Sequence, residues 1–591
     1  MLYELFGKRE KKKFIMLFSF MIIGAVLETA GVGLIVPFVG ILTNPDQITE
    51  NSLLNFFYTM FNFESTSSFL IFATIALLAV FIFKNAYLVF FYHFQYKVIY
   101  NEQIKLSKRM LTAYLLKPYI FHLERNTAQL QRNVDQEVKT IFNRIVIPGF
   151  VVLTESTVML FVLILLLFIA PLPTLLAGAL FGGGIFTFFH FFKTKIAVLG
   201  KARQSALGQM IKWINQSFGS TKEVKVLGKE AFFIDNFTQE SKTYAKSMRF
   251  YQLMKQAPRM FVETIVVATI LIIVLVIMIQ TENLTTLIST TALFAMAAFR
   301  LMPSINRMVS AITDVRYNRP SLDIVYEDLI VNNVEKDIDF DFRKRDANAF
   351  SKVNKSQPFN DKIELKHLHF KYPLSEANVI QDVSLEFPIG SSVAFVGPSG
   401  SGKTTLVDIM LGVLQPDSGT IEADGININE EESMWQNKIG YIPQGIYLFD
   451  DTIKKNIAFG VPDDEIDEEA VWESLRKAQL DEHVKGLPGQ LETSVGERGV
   501  KLSGGQRQRI GIARALYSNP EVLFLDEATS ALDNETEKGI MKAIDDLRGE
   551  KTLIIIAHRL STIENCDIIF EMEDGMLKSR KEQTVGRNVH S

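Results

Sequence analysis

The chain has 591 residues, enough for two or more domains, and a formal net charge of only −4, so no broad basic field points to nucleic acid. Its single cysteine, Cys566, excludes an internal disulfide framework and fits a reducing compartment for the domain that carries it. Composition is split: long apolar runs fill the first half, and the last third reads as a soluble α/β domain.

The start, MLYELFGKREKKKFIMLF, sets basic side chains ahead of an apolar stretch that continues to about Leu42, too long for a cleaved signal peptide. It predicts a short amphipathic entry helix followed by a retained span. Six segments are long and apolar enough to cross a bilayer, which takes about 20 residues: 14–42, 68–97, 143–170, 173–195, 258–280 and 285–308. The turns APLP and TENLTT join the third to the fourth and the fifth to the sixth. Lys and Arg are absent between Lys13 and Lys84 and from both short turns, yet abundant in 97–144 and 192–259. This distribution predicts that both termini and both long loops face the cytoplasm, with 43–67 outside.

The long loops carry helical patterns and predict spans that continue into the cytoplasm, with a short helix at each tip. In the outer loop, Leu53, Leu54, Phe57, Tyr58 and Phe61 recur at helical spacing. That segment reads either as a helix lying in the membrane interface or as an apolar cap over the bundle. The organisation is thus a transmembrane domain over 1–330, a polar linker over 331–360, a soluble domain over 361–580 and a tail over 581–591. The stretch after about Leu577 is expected to be loosely ordered.

In the soluble domain, a strand-like run at 392–396 precedes Gly397, Pro398, Ser399, Gly400, Ser401, Gly402, Lys403, Thr404 and Thr405, which open a helical run. This is the context of a phosphate-binding loop. Glycines let backbone N–H groups converge on phosphate oxygens, and the helix start adds positive potential. Lys403 is placed to reach the β and γ phosphates, and Thr404 to offer a hydroxyl to magnesium. Further on, the apolar run EVLFLD ends in Asp526 and Glu527. Asp526 suits a magnesium ligand, and Glu527 suits a base that orients and polarises the attacking water.

Between these elements stands VKLSGGQRQRIGIARAL, residues 500–516, and here the chain resembles the ATP-binding cassette (ABC) transporter family. The resemblance rests on Leu502, Ser503, Gly504, Gly505 and Gln506 and extends over the whole chain. It implies that Tyr372 stacks on adenine, that Gln444 touches magnesium and the transmembrane domain, and that Asp533 lies on the loop contacting a partner cassette. It implies that His558 bonds the γ-phosphate. SVGERG at 494–499 matches a segment found in exporters. Ser503 and Gly505 offer a hydroxyl and a backbone N–H at a helix start, a second phosphate-binding end. In this family it serves the ATP held by the opposite subunit. The implied fold is an α-helical six-span transmembrane domain of ABC exporter type fused to a C-terminal α/β P-loop nucleotide-binding domain. One cassette and six spans are half of the arrangement, so a homodimer is expected in a bacterial inner membrane, with the nucleotide-binding domain cytoplasmic.

The cargo is read from charges inside the spans. At 1.5 Å per residue, Arg300 lies about 22 Å below Thr285, Lys84 about 22 Å below Phe69 and Arg259 about 32 Å below Gln280. With a hydrocarbon core of about 30 Å, all three fall in its inner half or at its cytoplasmic edge. Two copies of each suit an anionic lipid head group, and a diphosphate suits guanidinium oxygen-pairing. The competing reading pairs Arg259 with Glu263 and lets Lys84 and Arg300 snorkel. Glu28 reads as a buried hydrogen-bonding residue. ETAGVGLIVPFVGIL, APRMFVETI and FRLMPSINRM also resemble bacterial lipid-linked oligosaccharide flippases of the PglK type. That resemblance implies a polyprenyl-diphosphate-linked oligosaccharide as substrate. An exporter of other lipids or drugs is the alternative.

Overall fold

The computed structural model describes residues 1–43, 45, 48, 52–169, 171–280, 284–331, 358–373, 375–526, 534–557 and 563–583; over 276–280 and 284–300, and at scattered positions in other helices, only the backbone is described. Two units form: residues 1–117 with 125–338, and residues 118–124 with 339–591.

The first unit is helical. Its long helices are α1 (Lys8–Thr43), α2 (Thr66–Leu115), α3 (Ile147–Ile169), α4 (Pro171–Gly219), α5 (Glu230–Gln280) and α6 (Leu284–Tyr326). Each contains or overlaps one segment expected to span. Helix α2 has 50 residues and α5 has 51, so each runs about 75 Å, far beyond a hydrocarbon core of about 30 Å. Among the described residues, Lys8–Gly31, Thr66–Leu115 and Thr127–Phe168 are long and apolar enough to cross a membrane. The expected loop-tip helices are present as Thr221–Leu227 in this unit and as Tyr119–Glu124, which belongs to the second unit.

The outer segment forms the helix Ser52–Met60 and divides its apolar side chains between both readings. Leu54 and Tyr58 pack on Ile41, Ile48 and Phe69, whereas Phe56, Phe57, Met60 and Phe61 stay exposed.

Polar bonds fix the lower part of this unit. Tyr251 donates its hydroxyl hydrogen to Asp314 at 2.5 Å and stacks on Tyr317 with ring centroids 4.2 Å apart, tying α5 to α6. Tyr114 at the end of α2 donates to Asp328 at 2.5 Å, and Asn133 Nδ2 donates to the same carboxylate at 3.1 Å. Each buried carboxylate thereby has donors on a neighbouring helix, which is what makes its burial tolerable.

The second unit holds two sheets. Strands β1 (Lys362–Phe370), β2 (Ile380–Pro388), β4 (Ser418–Ala423) and β5 (Ile426–Asn427) form an antiparallel sheet in the order β2-β1-β4-β5. Strands β3 (Ser392–Val396), β6 (Ile439–Ile442), β7 (Val522–Asp526), β8 (Thr552–Ile556), β9 (Ile568–Glu573) and β10 (Met576–Glu582) form the other, in the order β10-β9-β3-β8-β7-β6. All pairs there are parallel except β9 with β10.

The central strands read VAFV, VLFLD and TLIII because both of their faces are covered. Val393, Phe395, Val522, Phe524, Ile554 and Ile556 enter one apolar cluster, while Ala394, Leu523, Leu525, Leu553 and Ile555 enter the other, the two-residue alternation of a strand.

One expectation is corrected here. Residues 577–582 are not loose: they complete β10, paired antiparallel with β9 apart from a register shift at Lys578. Their alternation is weak because this is an edge strand carrying charges, as such edges commonly do; Arg580 sits 5.9 Å from the Phe570 ring centroid.

Asn456 locks the loop that follows β6. It is fully buried, accepts the Phe449 N–H at 2.9 Å and donates to the carbonyls of Phe449 and Thr452 at 3.1 and 3.0 Å. Arg514 Nη2 reaches its side-chain oxygen at 3.2 Å. Asn456→Ala should therefore destabilise the second unit by roughly 2–4 kcal/mol. Calorimetry of the full chain in detergent checks this; an unchanged transition would remove Asn456 from that role.

Candidate functional site: a phosphate loop at the ends of parallel strands

The site residues gather where parallel strands end. Gly397 follows β3, Asp526 closes β7 and Gln444 lies two positions after β6. In an open α/β sheet, ligands bind outside the carboxyl ends of the strands.

The loop from Gly397 to Gly402 leads into helix α7 (Lys403–Met410). Gly397 has φ 145°, and a Cβ there would stand 2.1 Å from the Met572 carbonyl oxygen, so no other residue fits. Gly400 and Gly402 have φ of 83° and 95°. Lys403 is 4% exposed, and its Nζ donates to the carbonyls of Gly397 and Pro398, each at 2.9 Å, and to Ser401 Oγ at 3.4 Å. The loop is thus wound around its own ammonium group. Ser401 and Thr405 are buried, and Thr404 is exposed.

Tyr372 stands edge-on to Phe370 with centroids 4.9 Å apart, and its hydroxyl meets Thr405 Oγ1 at 3.2 Å. That contact joins the Tyr372 ring to α7, the helix that follows the glycine-rich loop. The sequence motif named both residues but not their bond.

Around Asp526 the site is electronegative. Burial and then the Asp526 charge push Asp408, on α7, up to about 6. Burial followed by Asp526 and Asp408 pushes the Tyr441 phenol up to about 12. The Thr404 hydroxyl and the Asp526 carboxylate are oxygen donors of the type that Mg2+ takes together with phosphate oxygens. Asp408 escaped the sequence reading; its position inside a helix otherwise apolar over Leu406–Met410 was the available signal.

The signature forms the start of helix α8 (Gly504–Leu516). Ser503 Oγ accepts the Gln506 N–H at 3.2 Å, and Gln506 Oε1 accepts the Ser503 N–H at 2.8 Å. This is a reciprocal capping box, so Ser503 and Gln506 are needed to start the helix whatever else they touch. Ser503 and Gly504 are exposed, Gly505 is buried, and Gln506 Nε2 meets His483 Nε2 at 3.0 Å. Gln444 is exposed. Glu527, Asp533 and His558 lie outside the described residues.

In the helical unit, Lys84 is half-buried on α2, its Nζ 4.6 Å from the Phe81 ring centroid and its stem beside Gly31 of α1. Arg259 is exposed on α5, and the anticipated pairing with Glu263 is not among the described ion pairs. The side chain of Arg300 lies outside the described residues. Sequence reasoning missed a different intramembrane pair: Arg307 Nε of α6 on the buried Glu155 of α3.

Comparison with known proteins agrees with this geometry. Residues 380–530 match the family described as ABC transporter. Over 487 residues, 81% of this chain and 78% of the relative, identity is 30% to the ATP-dependent lipid A-core flippase of Ralstonia nicotianae. The mitochondrial ATP-binding cassette sub-family B member 10 of Mus musculus is 43% identical over 222 residues, 37% of this chain and 31% of its own. A bacterial Atm1-family ABC exporter solved with ATP bound shares the fold, with TM-score 0.74 at 21% identity over 97% of this chain and 95% of that one. Fold and phosphate site define a membrane transporter that couples ATP hydrolysis to transport. The chain belongs to the ABC transporter family, as a half-transporter of exporter type.

Two outcomes follow. Gly397→Ala should lose ATP binding by more than tenfold, read with a fluorescent ATP analogue, because the added methyl meets a carbonyl; retained affinity would refute the cradle. Asp408, with its folded pKa raised, contributes stability below about pH 3.8 that is lost as pH rises through about 6. Asp408→Asn should therefore stabilise the nucleotide-free chain by roughly 2 kcal/mol at pH 7.5 and leave it unchanged near pH 3.5. Equal denaturation midpoints at pH 7.5 would overturn the assignment.

Proposed function

We propose that two copies of this chain form a flippase in a bacterial inner membrane, driven by ATP. Its cargo is a polyprenyl-diphosphate-linked oligosaccharide, carried from the inner to the outer leaflet. The observation that supports this cargo is Lys84: a cation in a membrane span, packed on an aromatic ring and α1, with no carboxylate partner among the described ion pairs. An ammonium held in that setting is stabilised by an anionic ligand. Arg259 and Arg300 supply further cations at similar or slightly greater depth, and guanidinium takes phosphate oxygens in pairs.

In the cassette, Lys403 and the loop N–H groups hold the ATP phosphates, and Tyr372 stacks on the base. Thr404, Gln444 and Asp526 hold Mg2+, which when bound neutralises phosphate charge. Glu527 orients water, and His558 bonds the γ-phosphate. Ser503, Gly505 and Asp533 act on the nucleotide of the opposite subunit. Nucleotide shifts the membrane domain between states by its differential affinity for them.

A second reading, transport of another lipid, is favoured by the relatives named lipid A-core flippases. Proteoliposomes containing fluorescent polyprenyl-diphosphate oligosaccharide or lipid A-core separate the two. Lys84→Ala and Arg300→Ala should cut flipping of the diphosphate lipid at least tenfold more than they cut ATP hydrolysis. Flipping at the unsubstituted rate in both variants would reject the diphosphate role.

A further inference from the structure

Below the span region, the helical unit has an open, mainly polar cleft of about 430 Å³ between α4, α6 and the segment containing Asn126 and Arg132. Helix α4 lines it with Lys201, Gln204, Ser205, Gly208 and Lys212, a spacing of three, one, three and four residues that keeps them on one helical face.

Two buried groups show that the wall is built rather than accidental. Arg132 is 8% exposed; its Nη1 donates to the Gln204 carbonyl at 3.4 Å, its Nη2 to Asn133 Oδ1 at 3.3 Å, and its Nε lies 3.2 Å from Glu137. Gly208 makes room for it, since a Cβ there would stand 2.4 Å from Nη1. Gln204 is also 8% exposed, and its Nε2 finds no acceptor among the described residues. A buried amide donor without a partner costs about 1–3 kcal/mol unless a ligand or water takes it.

Charge identifies the ligand class. Lys201 and Lys212 share the cavity with Asp323 of α6 and with Glu327 just beyond its end, and Glu137 offsets Arg132. With Arg319 3.7 Å from Asp323 as well, the lining is close to neutral rather than strongly charged, and it is rich in amides, which both donate and accept. Such a lining disfavours a free phosphate and suits a neutral, hydroxyl-rich molecule.

We propose that this cavity receives the saccharide end of the substrate, an inference that rests on the flippase reading above. At 1.5 Å per residue, Lys201 lies about 45 Å from Pro171 at the outer end of α4, about 15 Å past a hydrocarbon core of about 30 Å. A head group whose diphosphate sits at the inner leaflet surface projects its sugars to that level. Gln204 then donates to a sugar hydroxyl, and the carboxylates of Asp323 and Glu327 accept from others.

Two measurements on the full-length protein decide it. In proteoliposomes, Gln204→Leu and Ser205→Trp should raise KM about fivefold for flipping of a polyprenyl-diphosphate-linked N-acetylglucosamine oligosaccharide. Both should leave kcat, and KM for bare polyprenyl diphosphate, unchanged. In detergent, Ser205→Cys gives an exposed thiol, while native Cys566 is buried. Soluble N-acetylglucosamine trisaccharide should slow its maleimide labelling at least threefold. No protection by the trisaccharide, or an equal rise in KM for both lipids, overturns the inference. If the unsubstituted protein flips neither lipid, the flippase reading fails, and thiol protection still decides whether the cavity binds sugar.

Discussion

The nucleotide site depends on one constraint: parallel strands must all end on the same side. Strands β3, β6, β7 and β8 run parallel, so the loop after β3, the acid at the end of β7 and the loop after β6 come to one edge. Nothing in that arrangement needs long side chains to reach across the domain. Short loops deliver each group, and the apolar strands behind them, buried on both faces, hold the edge rigid. Asn456 extends the same rigidity to the loop after β6, because its buried amide ties that loop to its own backbone and to Arg514 of α8. The capping box at Ser503 then fixes the first turn of α8.

In the helical unit the governing constraint is the cost of charge away from water. Glu155 meets it by pairing with Arg307, and Asp314 by accepting from Tyr251 and Lys255 Nζ, the latter at 3.1 Å. Removing one member of such a pair leaves a buried charge alone, at a cost of about 3–5 kcal/mol. These groups are therefore committed to holding helices together. Lys84 and Arg259 have no carboxylate among the described ion pairs, which sets them apart from the cations that build the bundle.

The phosphate loop was legible in the sequence because its chemistry is made by the backbone, and glycine spacing encodes backbone directly. The six long helices were legible from apolar length, and the buried strands from runs such as VLFLD. What the sequence hid depends on long-range placement. Glu155 and Arg307 are 152 positions apart, and neither stands out alone. Asp408 is disturbed by Asp526 only because β7 ends beside α7. The cavity beneath the spans draws on segments near residues 130, 205 and 325, with no local motif. The edge strand β10 was mistaken for a loose tail because charged edge strands lack the alternation that marks buried ones.

The same distinction explains why the engine of this protein is easier to read than its cargo. ATP is invariant, so the cassette can surround it with fixed N–H groups whose positions are set by φ angles at Gly397, Gly400 and Gly402. Cargo differs between members of a transporter family, and the surfaces that meet it are single side chains on long helices, where one substitution can change specificity without disturbing the fold. The helices that carry those side chains are anchored by Tyr114 on Asp328 and Tyr251 on Asp314. Such anchors let the lining of the membrane domain change while its scaffold persists, so shared fold and shared ATP chemistry carry over between relatives more securely than a shared substrate does.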